Sequence, residues 1–216
     1  MKVIPAKYEI LTEINGEEAL KAIELAARTC YKSEDLITKD SAERIVRRLI
    51  ESGHEAMLEH YSFSVKFTVD RGVSHEIVRH RVASFAQEST RYCNYSKGKF
   101  GQEITVIKPC FWDDEESLGY SLWYESCAQA ESYYFSLLNH GATPQEARSV
   151  LPNSLKTDIV VTANLREWRH FFKLRAVGLT GAPHPQMVEV ALPLLHEMQQ
   201  LIPVVFDDIK PNCENT

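Results

Sequence analysis

Arg79-His80-Arg81 are followed, after seven residues, by Ser89 and then Arg91-Tyr92, in a run that reads RHRVASFAQESTRY. Arginine carries a planar fork of donors matched to phosphate oxygens, and hydroxyls or amides fill the remaining contacts of a hydrogen-bonding anion. Gln87, Glu88, Ser89 and Thr90 supply those groups here. A solvated basic helix face has the same composition, so the order and spacing carry the ligand reading. Ser89 has no base in a recognised nucleophile arrangement and is assigned to ligand binding. Arg175 ends an aromatic segment, where the plain reading is a cation favourably placed at a helix C-terminus. His54, Glu55, Glu59 and His60 raise a metal possibility. The zinc spacing H-E-x-x-H fails, however, because Leu58 stands where the second histidine belongs, and Arg79 does so after His75-Glu76. Core or capping histidines are the plain alternative. No Gly-rich phosphate loop is present, so any nucleotide must be held by side chains and helix ends.

The elements that would position these residues follow from caps and periodicity. Asn15-Gly16-Glu17-Glu18 opens a helix with Leu20, Ile23 and Ala27 on one stripe. Ser41 to Ser52 reads as a second helix stopped by Gly53. Ser62 to Val69 alternates as a half-buried strand. Ser74 is read as the cap of a helix reaching about Ala83, on which Glu76 and Arg79 share a face. Gln102 to Lys108 is a strand closed by Pro109, and Asp113 to Leu138 a long helix. Thr143-Pro144-Gln145-Glu146 starts a short helix carrying Arg148 on its first turns. Asp158 to Ala163 is a strand, Asn164 caps a helix ending near Arg175, and Pro185 to Leu201 is a last helix, kinked at Pro193. Strands and helices do not alternate as βαβ units. The expected class is α+β, with a small sheet packed against several long helices in one domain spanning residues 1–216.

Bulk properties narrow the function. The chain has 216 residues, 44% hydrophobic and 25% charged, with a formal net charge of −6. That charge argues against a general nucleic-acid binder and asks for a local anionic ligand at the Arg/His clusters. Cysteines 30, 93, 110, 127 and 213 form no C-x-x-C pair and read as reduced thiols of a cytoplasmic protein. No apolar leader or membrane-length run is expected.

R-H-R-x7-S with the following Arg91-Tyr92 resembles the signature of the flavin-dependent thymidylate synthases. Four further segments are similar to that family's motifs: His54-Glu55-Ala56-Met57-Leu58-Glu59-His60, Ala147-Arg148-Ser149-Val150-Leu151-Pro152, Asn164 through Arg175, and His184-Pro185-Gln186. They stand in the family's order, from about residue 50 to about 190. The resemblance implies a homotetramer with active sites shared between chains. It implies that NADPH reduces FAD, that methylenetetrahydrofolate gives its one-carbon unit to C5 of dUMP, and that dTMP and tetrahydrofolate leave. It assigns Glu76, Arg79, Gln87, Glu88, Ser89, Thr90, Arg91, Arg148 and Arg175 to dUMP. It assigns Ala56, Arg79, His80, Arg81, Gln87, Asn164, Arg166 and His170 to FAD, and puts His54 near the flavin ring and the folate entrance. Arg175 is the implied catalytic residue, stabilising negative charge on the pyrimidine. No metal is implied.

Gln87, Ala56 and His170 depart from side chains found in other members; Gln87 keeps an amide but brings no charge. Two other readings compete. Pro109-Cys110 faintly echoes the thymidylate synthases that use a cysteine nucleophile. A non-enzymatic RNA-binding protein would use the arginine clusters, with Tyr92, Tyr95, Trp168 and Phe171 as stacking platforms.

Overall fold

Side-chain caps set most of the helix starts. The computed structural model describes residues 1–96 and 101–210, so Cys213 lies outside the described residues. Asn15 Oδ1 accepts from Glu18 N (3.2 Å) at the head of α1 (Gly16–Thr29), and Asn164 Oδ1 accepts from Glu167 N (2.9 Å) at the head of α6 (Leu165–Arg175). Thr143 and Glu146 close a capping box on α5 (Pro144–Ala147). α2 (Ser41–Glu51) ends at Gly53, whose φ of +71° is the left-handed conformation a glycine adopts without strain.

Two expected helices shift. Asp70, not Ser74, caps α3 (Arg71–Ile77), its Oδ1 accepting from Val73 N at 2.6 Å. Ser74 is fully buried inside the helix. α3 stops at Ile77, so Arg79, His80 and Arg81, expected on the helix, lie beyond it, in a turn leading to a strand, β4 (Ala83–Gln87), for which no expectation came from the sequence. Glu76 and Arg79 therefore share no helix face. The long helix α4 is Leu118–Asn139, starting later than expected because Ser117 accepts from Tyr120 N (3.2 Å).

The fold is α+β. Its other strands are β1 (Lys2–Ile4), β2 (Lys7–Ile10), β3 (Ser62–Asp70), β5 (Thr105–Ile107) and β6 (Lys156–Asn164). β1 pairs parallel with β5, Val3 opposite Val106, and β2-β3-β6-β4 is the order of a four-stranded sheet. By contacts the chain forms two compact units.

The first unit contains Met1–Lys7, Phe67–Arg79 and Phe85–Val160. Its core joins Ile104, Val106 and Leu155 to Trp123, Cys127 and Tyr134 of α4. Trp123 keeps its N–H satisfied by donating to Ser154 Oγ (2.9 Å), as a buried indole requires. The second unit contains Tyr8–Lys66, His80–Ser84 and Val161–Thr216. Here α6 turns Trp168, Phe171 and Phe172 inward; Trp168 stacks on Phe63 at 4.8 Å and Phe172 meets Phe206 at 5.6 Å. Each such burial contributes about 1.5–3 kcal/mol. α7 (Pro185–Leu201) runs through Pro193, whose ring is exposed, and α8 (Pro203–Phe206) follows. Among the described residues, no helix is long and apolar enough to cross a membrane.

Candidate active site

In the first unit a polar network joins the end of β4 to β6 and α3. Gln87 Nε2 donates to Ser74 Oγ (2.9 Å) and Thr157 Oγ1 (3.3 Å), both on buried residues. The Gln87 amide thus spends its donors on inward-facing hydroxyls. Glu88 accepts from Lys156 Nζ (2.8 Å) and Tyr95 Oη (3.3 Å). Lys156 also binds Asp158, whose other oxygen accepts from Thr68 Oγ1 at 2.6 Å. Burial works against the Lys156 charge, but its bonds to Asp158 and Glu88 win and raise its pKa. Ser89 turns the chain: its carbonyl accepts from Tyr92 N and Cys93 N, and its hydroxyl from Arg91 N. The Arg91 guanidinium lies on Tyr92 at 5.3 Å and donates to Gln145 (3.2 Å). Glu76 and Thr90 are half-buried. Arg79 follows α3 and Arg148 follows α5; both are exposed, and neither pairs with a carboxylate among the described residues.

In the second unit the middle residue of R-H-R separates from its neighbours. His80 is 4% exposed, while Arg81 faces solvent. Its ring meets Phe171 and His170 edge-on at 5.0 and 5.5 Å. Arg175 Nε donates to His80 Nε2 at 3.2 Å, and Glu167 Oε1 lies 3.6 Å from Nδ1. Burial, then the Arg175 and His170 charges, push the His80 pKa down to about 4, so the ring is neutral at pH 7. An acceptor at Nε2 places the proton of a neutral imidazole on Nδ1. Burial raises the Glu167 pKa, against the pull of His170 and the Val82 backbone N–H.

Clefts of this unit collect the cofactor candidates. Asn164, Arg166 and His170 line one cleft of about 490 Å³, with Val82, Glu167 and Lys173. Arg166 also borders a larger one of about 650 Å³, shared with Arg48, His54, Ala56 and Met57. Arg81 and Asn164 flank a third, of about 340 Å³. Of the residues that raised a metal possibility, Glu55 binds Arg169 and Lys173 while Glu59 binds Arg166. Cys30, Cys93, Cys110 and Cys127 are thiols outside any disulfide.

Residues 11–204 match the family model described as thymidylate synthase complementing protein. This chain belongs to the flavin-dependent thymidylate synthase family. The flavin-dependent thymidylate synthase of Pyrococcus furiosus is 35% identical over 201 residues, covering 89% of this chain and 77% of its own. That of Geobacter sulfurreducens is 32% identical over 214 residues, covering 96% and 88%. The fold also matches a crystal structure of the UMP/dUMP methylase PolB from Streptomyces cacaoi bound with 5-Br dUMP. There the TM-score is 0.76 at 24% identity, over 96% of each chain.

Membership makes the chain an enzyme and removes the non-enzymatic competitor. Packing also withdraws three of its four stacking platforms: Trp168, Phe171 and Tyr95 are 1%, 3% and 5% exposed and offer no face to a base, whereas Tyr92 is 76% exposed. The cysteine-dependent reading falls with the family assignment.

Sequence reasoning missed the polar partners of this flavin-dependent thymidylate synthase. Arg169, 1% exposed, donates through Nε and Nη2 to Glu55 (both 3.2 Å), through both terminal nitrogens to Asp208 (2.6 and 2.7 Å), and to Val205 O. Burial opposes its charge, but Asp208 and Glu55 outweigh it. This fixes the 3-10 helix Glu55–His60, which borders both larger clefts, to α6. The available signal was the position of Arg169 between inward Trp168 and Phe172, where an arginine must bring its own acids.

Proposed function

We propose that this enzyme reductively methylates dUMP to dTMP, taking its one-carbon unit from methylenetetrahydrofolate and its electrons from NADPH through FAD. The observation that carries the reading is the convergence of Asn164, Arg166 and His170 on one cleft along α6, the helix that ends in Arg175. The residues fit a flavin nucleotide. The two larger clefts fall within the range of cofactor sites, and their walls mix apolar Val82 and Met57 with cationic Arg48, Arg166 and Lys173. FAD, when bound, supplies the hydride that completes the new methyl group. In this reading Arg79, Arg91 and Arg148 bind the anionic nucleotide, and Arg175 stabilises the negative charge that builds on the pyrimidine as C5 attacks. His54 stands at the folate side. We place the enzyme in the cytoplasm as a homotetramer, as the family resemblance implies.

The purified protein should be yellow, with a flavin absorbance spectrum, and should convert dUMP to dTMP only when methylenetetrahydrofolate and NADPH are both present. A colourless protein that cannot be loaded with FAD contradicts the reading. Cys110→Ala should retain turnover, because no thiolate is required. Complete loss in a folded, flavin-loaded variant would favour covalent catalysis.

A further inference from the structure

His80, which the family resemblance sets among the FAD residues, is the most constrained of the polar side chains around Arg175. It is almost wholly buried between α6 side chains, yet belongs to a segment whose neighbours, Arg79 and Arg81, are exposed. Burying one imidazole between two exposed cations costs free energy unless both ring nitrogens have work. Nε2 accepts from Arg175. Nδ1 has no hydrogen-bond partner among the described residues, but Glu167 Oε1 is 3.6 Å away, and a shift of less than an ångström closes that bond. The Glu167 carboxylate also takes the backbone N–H of Val82, so it grips the same segment on both sides of Arg81.

We propose that His80 and Glu167 form a positioning pair for Arg175. Glu167 selects the Nδ1–H tautomer of His80, and the Nε2 lone pair then holds Arg175 by its Nε–H. This inference rests on the reading of Arg175 as the group that acts on the pyrimidine. The choice of Nε matters. A hydrogen bond from Nε fixes the plane of the guanidinium without itself engaging the terminal nitrogens. A guanidinium already oriented stabilises developing charge without reorganising at the moment of reaction. A neutral imidazole suits this task because a carboxylate in its place would neutralise the arginine.

The test uses the flavin-loaded protein with 15N-labelled histidine and arginine. At pH 7, without substrate, long-range proton–nitrogen spectra should show His80 with a protonated Nδ1 and a bare Nε2, and Arg175 Nε–H protected from exchange. The opposite tautomer, or an imidazolium, overturns the proposal. His80→Gln sets an amide oxygen near the place of Nε2, and His80→Phe keeps the ring packing but offers no acceptor. The Phe variant should lose the Nε–H protection, and its kcat with dUMP should fall roughly 10- to 100-fold, the range of one hydrogen bond to a charged group. The Gln variant should recover most of both. FAD content and NADPH-driven flavin reduction are measured beside kcat in all three proteins, and kcat is compared per bound flavin. Unchanged kcat and protection in the Phe variant overturn the proposal, as does a loss that tracks FAD content. If the wild type makes no dTMP, the function reading fails, and the spectra still decide whether His80 holds Arg175.

Discussion

Both units bury polar side chains, but they use them differently. In the first, Gln87 bonds to Ser74 and Thr157, Lys156 joins Glu88 to Asp158, and the cations left for an anion, Arg79 and Arg148, stand at the surface. In the second, the arginines are held from behind: Arg169 by two carboxylates and a carbonyl, and Arg175 by an imidazole. An exposed arginine meets its ligand by moving, so it contributes affinity. A buttressed one costs nothing to orient when charge develops, so it contributes rate.

The largest expected effect is on stability. Arg169→Met leaves Glu55 without its main partner, and losing one side of a buried pair costs about 3–5 kcal/mol. The Asp208 carboxylate keeps roughly half its solvent exposure and regains water, which puts the loss nearer the lower figure. Urea unfolding measures it; a change under about 1 kcal/mol would show that the α6 buttress is ornamental. Next comes Arg175→Lys, which keeps the charge and loses the fork. If rate is what buttressing provides, kcat should fall about 10²–10³-fold while flavin reduction by NADPH survives. A raised KM with normal kcat would erase the distinction between the two units. Arg79→Ala and Arg148→Ala should behave in the other manner, each weakening dUMP binding by about 1.5–3 kcal/mol in calorimetry.

The smallest effect is a pH dependence. His80 has a folded pKa of about 4, below its unfolded 6.5, so the unfolded chain binds the proton that the fold refuses. Its contribution to stability is complete above pH 6.5 and is lost as pH falls from there toward 4. Between pH 7 and pH 5 the loss is about 2 kcal/mol, and the His80→Gln protein should lack that component. Parallel stability–pH curves for the two proteins would mean that the ring titrates normally.

The features legible in the sequence were those settled within a few residues. Asn15, Asn164, the Thr143–Glu146 box and the Gly53 stop all act across one helical turn, and each stands where its chemistry puts it. The alternation of Phe63, Val65, Phe67 and Val69 marked β3 for the same reason. β4 was not legible, because Ala-Ser-Phe-Ala-Gln has one large apolar side chain and becomes a strand only by pairing beside β6. The site divides similarly. The family motifs named Arg175 and Asn164, but His80 lies 95 positions from Arg175 and Glu55 114 from Arg169, and no local pattern encodes such pairs.

The Arg169 clasp also imposes an order on biosynthesis. Glu55 is translated long before Arg169, but Val205 and Asp208 come 36 and 39 residues after it. At about 5–20 residues per second, the ribosome needs roughly 2–8 s to deliver the second acid. During that interval the nascent α6 holds a cation with one of its two carboxylates missing, so the helix that lines the cofactor clefts settles only after Asp208 has been delivered.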